Sequence, residues 1–87
     1  MASYNLEFRA SVAHDLRLIP KQDVGRILKR IELLTENPRP VGCEKLSSQE
    51  RYRILQGNYR IICEIQDNIL RVIVVKIGHR GDVDRST

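Results

Sequence analysis

Arg53, Arg60, Arg71, Arg80 and Arg85 interrupt or follow three apolar runs in the stretch YRILQGNYRIICEIQDNILRVIVVKIGHRGDVDR. A guanidinium remains charged at any working pH and offers a planar fork of donors that matches a phosphate. Acids, amides or hydroxyls would keep an open sheet face soluble equally well, so cations at these positions suggest an anionic ligand, a phosphate first of all. His79 adds a group that can titrate near neutral pH and serve as acid or base.

These residues need a scaffold, and the apolar spacing indicates which. SYNLEF alternates as a short first strand. Val12, Leu16 and Ile19 follow at helical spacing until Pro20, which cannot continue a helix. Val24, Ile27, Leu28, Ile31 and Leu34 make the stripe of a second helix that stops at Asn37-Pro38. RPVGCEKLSSQE reads as a loop, and RYRILQ, YRIICEIQ and ILRVIVVKI read as three strands. The order β-α-α-β-β-β defines an α+β domain over residues 1–87, with a helix hairpin packed on one face of an antiparallel sheet.

Two-residue turns at Gly57-Asn58 and Asp67-Asn68 fix a register. The first sets Leu55 against Arg60, Arg53 against Ile62 and Tyr52 against Cys63; the second sets Glu64 against Arg71. Strand alternation then gives Tyr52, Ile54, Ile61, Cys63, Ile65, Val72 and Val74 to the face under the helices. Arg53, Leu55, Arg60, Ile62, Glu64, Arg71, Ile73 and Val75 share the open face. Glu64 is expected to pair with Arg71 across the strands. No acid is expected beside Arg53 or Arg60, which makes them the phosphate candidates; solvated charges on an open face are the plain alternative.

Composition narrows the class. With 41% apolar and 30% charged residues in 87, the chain is an ordinary globular domain with one modest core. The net charge of +4 is uneven: residues 1–44 hold seven Lys/Arg against six Asp/Glu, and residues 45–87 hold eight against five. A basic, strand-rich half favours a polyanionic partner, nucleic acid or an acidic protein. The start, MASYNLEFRA, lacks the order of a secretory signal, and no run has the length of a membrane span, so a cytoplasmic protein without membrane contact is expected. Cys43 and Cys63 have neither a disulfide framework nor a metal-ligand spacing.

KL at 45–46, YRI at 52–54, GNYRII at 57–62, EI at 64–65 and IGHRGDV at 77–83 form an ordered set. That set resembles the RelE/ParE superfamily of bacterial toxins, on the RelE-like side. The resemblance implies a ribosome-dependent endoribonuclease that cuts messenger RNA in the decoding site without a metal or other cofactor. It also implies inhibition by a cognate, RelB-like antitoxin. Such toxins drive the ribose 2′-hydroxyl onto the adjacent phosphate with a cluster of basic side chains and often a tyrosine. By position, Arg53, Arg60 and Arg80 match the family's phosphate-contacting cations, and His79 is a candidate acid or base. Lys45, Arg51 and Arg85 are candidates for RNA or ribosome contact.

Two departures bear on activity. Leu55 stands where the family has a second basic residue, and Asp84 where it has an aromatic. On the nuclease reading that the resemblance implies, these departures point to a different acid/base set or to an attenuated enzyme. Two other readings share the fold: a ParE-like inhibitor of DNA gyrase, and a catalytically silent module that binds the antitoxin.

Overall fold

The computed structural model describes residues 3–46 and 50–79. Its elements are β1 (Asn5–Phe8), α1 (Ala10–Arg17), α2 (Lys21–Leu33), β2 (Glu44–Leu46), β3 (Arg51–Gln56), β4 (Tyr59–Gln66) and β5 (Arg71–His79). The strands form one sheet in the order β1-β5-β4-β3-β2, antiparallel except for β1, which runs parallel to β5. The fold is α+β, two helices on one face of a five-stranded mixed sheet. The residue pattern predicts one strand fewer and an all-antiparallel sheet. Three residues are too short to show a period, so β2 looked like loop. The parallel pairing follows from topology: the α1-α2 excursion returns the chain to the far edge, and the meander then closes against β1.

Pro20 both ends α1 and opens α2. It cannot donate to α1, and its carbonyl accepts from the backbone N–H of Asp23 and Val24 at 2.9 and 3.0 Å. Asp23 in the first turn and Arg30 in the last complement the helix dipole. From α2, Ile27, Ile31 and Leu34 are buried, at i, i+4 and i+7. Leu28, assigned by its spacing to the same stripe, is 39% exposed. Val12 of α1 and Ile19 join them over Ile54, Tyr59, Ile61, Cys63, Val72, Val74 and Ile77 of the sheet. The expected helix-bearing face is therefore the core face.

The first hairpin keeps the expected register, with Arg53 opposite Ile62 and Leu55 opposite Arg60. Gly57 takes φ +59 in its turn, a conformation that other residues adopt at a cost. The second differs. Asp67–Ile69 form a 3-10 turn closed by Leu70 at φ 49, so Gln66 faces Arg71 and Glu64 faces Ile73. A shift of two residues preserves the faces, which is why the core assignment survives it. A bulge between Ile62 and Cys63 then changes the parity of β5: Cys63 pairs with Val74, but Ile62 pairs with Lys76. Beyond it, Ile77 faces the core and Gly78 and His79 pair with Arg60 and Tyr59.

Candidate nucleic-acid interface

The open face is organised around Ile62. Its parity turns it away from the helices, yet it is 1% exposed. Arg53 and Lys76 lie directly across from it on the flanking strands, and Arg60 and Glu64 lie two residues away along β4. Long cationic side chains bury their stems on such a residue and keep their heads in water. Arg53 and Arg60 are diagonal neighbours on adjacent strands, about 7–8 Å apart in ordinary sheet geometry. Two guanidinium groups so placed can address one phosphate. Lys76 comes opposite Ile62 only through the bulge, and its Nζ lies 3.9 Å from Asp15 Oδ1 of α1, so its charge is directed to the helix and not to the two arginines.

Acids partition the remaining cations differently from expectation. Glu64 does not take Arg71. Its Oε1 accepts from Arg51 Nε at 3.2 Å and from Arg9 Nη2 at 3.3 Å. Arg71 instead donates to Glu7 from Nε and Nη2, at 2.6 and 2.8 Å, and to Gln66 Oε1 at 3.3 Å. The four-residue turn moved Arg71 two places from Glu64, and the parallel neighbour β1 supplied Glu7. The Arg71 fork holds the Glu7 carboxyl below its usual range. Arg53 also has an acid after all: its Nη2 donates to Glu44 Oε2, the residue opposite it on β2.

The other candidates disperse. Lys45 is opposite Tyr52, on the helix-bearing side, with Nζ 4.0 Å from Glu50. His79 also falls on that side, its ring 4.8 Å from the Tyr59 ring and tilted 45°. The Tyr59 hydroxyl donates to Asp23 Oδ2 at 2.9 Å, tying this end of the sheet to the start of α2, and burial beside that carboxylate raises the phenol's pKa. The structure thus sets Arg51, Arg53 and Arg60 on one face, with Arg53 and Arg60 adjacent and Arg51 further along, and Lys45 and His79 on the opposite face. Arg80, Arg85 and Asp84 lie outside the described residues. Arg9 and Glu44, which enter the open face's ion pairs, carry no local signal in the sequence.

Among the described residues no helix is long and apolar enough to cross a membrane. A family model, the ParE toxin of the type II toxin-antitoxin system parDE, matches residues 6–83. The chain belongs to this family, within the RelE/ParE superfamily, and is a toxin of a type II toxin-antitoxin system.

Its fold is that of solved RelE structures. A chain of the RelBE2 toxin-antitoxin complex from Mycobacterium tuberculosis is 21% identical, with a TM-score of 0.80 over 90% of this chain and 99% of that one. For the archaeal RelE-RelB complex from Pyrococcus horikoshii the values are 22%, 0.78, 91% and 97%. For the isolated Escherichia coli RelE toxin they are 20%, 0.77, 97% and 94%. The comparison with curated proteins gave no match. Several of these neighbours were solved as toxin-antitoxin complexes.

Proposed function

We propose that this toxin is a ribosome-dependent endoribonuclease that cleaves messenger RNA in the decoding site and is silenced by a RelB-like antitoxin in the cytoplasm. The observation that carries the reading is the placement of Arg53 and Arg60 on one open face, on adjacent strands, over Ile62. In the reaction the ribose 2′-oxygen bonds to phosphorus as its proton leaves, and the bond from phosphorus to the 5′-oxygen breaks as that oxygen gains a proton. Negative charge gathers on the phosphoryl oxygens at the transition state, where preorganised cations act most strongly. Arg53 and Arg60 hold these oxygens, and Arg80, the residue after β5, completes the clamp. His79, beside Tyr59 on the other face of the sheet, is not assigned the proton transfer in this reading. Arg51, Lys45 and Arg85 contact RNA or ribosome more peripherally.

A second reading is a ParE-like poison of DNA gyrase. The description of the matching family favours it, as does Leu55, which leaves an aliphatic group opposite Arg60. Primer extension on translated messages after induction separates the two. Codon-positioned cuts support the nuclease. Gyrase-linked DNA breaks without such cuts support the poison, and neither signal leaves a silent antitoxin-binding module.

A further inference from the structure

Among the described residues, three carboxylates of the open face pair with arginines, and they differ in freedom. Glu64 is enclosed, its side chain 20% exposed and shared by Arg51 and Arg9. Glu7 is gripped by two nitrogens of Arg71. Glu44 is 63% exposed on a three-residue edge strand, while the Arg53 side chain that it meets is only 21% exposed. The cation is held by the sheet and the anion projects into water. An anion so placed can be exchanged for another without disturbing the fold.

We propose that Glu44 is an internal substitute for the substrate phosphate, resting on the fork of Arg53 until an RNA phosphate displaces it. This inference rests on the nuclease reading above, since it takes Arg53 and Arg60 as the phosphate site. Glu44 then sets the threshold for binding. It neutralises Arg53 in the unoccupied protein, which lowers the affinity for any isolated phosphodiester, and it yields to RNA that is also held at Arg60.

The test is anisotropy of a fluorescent 2′-O-methyl oligoribonucleotide, which lacks the attacking hydroxyl, titrated with the full chain and with E44Q, R53Q, R60Q and E44Q/R53Q. E44Q is expected to bind about twofold to fivefold more tightly than wild type, the scale of an exposed ion pair. That gain is expected to vanish in the R53Q background. A gain of the same size with or without Arg53 overturns the inference, because Glu44 is then acting only as a nearby charge. Equal binding by wild type and E44Q, with R53Q and R60Q both weakened, overturns the inference and leaves the phosphate site standing. Binding that none of the substitutions changes, or none at all, overturns both.

Discussion

Arg39 grips Asp67 with both terminal nitrogens, at 3.0 and 2.8 Å, and so ties the segment after α2 to the turn between β4 and β5. The Tyr4 hydroxyl donates to the same carboxylate at 2.6 Å. Arg39 also donates to the Tyr52 hydroxyl at 3.2 Å and lies 4.7 Å from the centre of that ring. Donors from Arg39 and Tyr4 push the Asp67 carboxyl down from its ordinary 3.8 to about 2. A carboxylate lowered by folding stabilises the native state above its unfolded pKa, and that contribution is lost as pH falls through the folded value. Asp67 therefore contributes fully above about pH 4 and progressively less towards pH 2. D67N is expected to lower Tm at pH 7 and to fall less steeply than wild type between pH 4 and pH 2; parallel curves would remove Asp67 from the acid response.

The two thiols should differ in reactivity. Cys63 is fully buried beneath the helices and burial pushes it up to about 12, while Cys43 is half-buried and raised less. A thiolate is the reactive form. A thiol reagent at pH 8 is expected to modify Cys43 alone in the native protein and Cys63 only after denaturation. Prompt modification of both would contradict the packing of β4 under the helices.

Ile27 of α2 belongs to the core between the helices and the sheet and has no exposed surface. I27A is expected to cost about 2–5 kcal/mol, the scale for removing a buried aliphatic side chain. Urea unfolding measures it. A loss below about 1 kcal/mol would show that α2 closes over the space left behind.

Leu55 is opposite Arg60 and 40% exposed, so a longer cation fits there without entering the core. L55R together with D84Y restores the residue types of the resembling family. The pair is expected to raise the rate of message cleavage by about tenfold, less than the loss usually seen on deleting an established transition-state donor. Growth arrest after induction should deepen in parallel. Unchanged arrest would mean that this chain's activity does not depend on those positions.

Much of this arrangement is visible in residue order, and the gaps have physical causes. Gly57-Asn58 demanded positive φ, so the pairing of Arg53 with Ile62 and the common face of Arg53 and Arg60 followed from turn chemistry and alternation. Asp67-Asn68 offered an equally good two-residue turn, but the chain uses four residues and places a leucine at positive φ, which no propensity would suggest. The even shift preserved the core face and changed only the ion pairs, handing Arg71 to Glu7 and Glu64 to Arg51. The bulge opposite Ile62 was decisive for the site. It lets Lys76 reach Asp15 of α1 and carries His79 to Tyr59, and bulges arise from packing of the whole sheet, a cause that local sequence does not record.

The most direct measurement is the single-turnover cleavage rate of messenger RNA on programmed ribosomes, comparing wild type with R60Q at equal ribosome occupancy. If Arg60 stabilises charge on the reacting phosphate, the rate is expected to fall about 100-fold to 1,000-fold while Tm stays near the wild-type value. A rate for R60Q equal to wild type, or no cleavage by the wild-type protein, would contradict the assignment of this sheet face to phosphate chemistry.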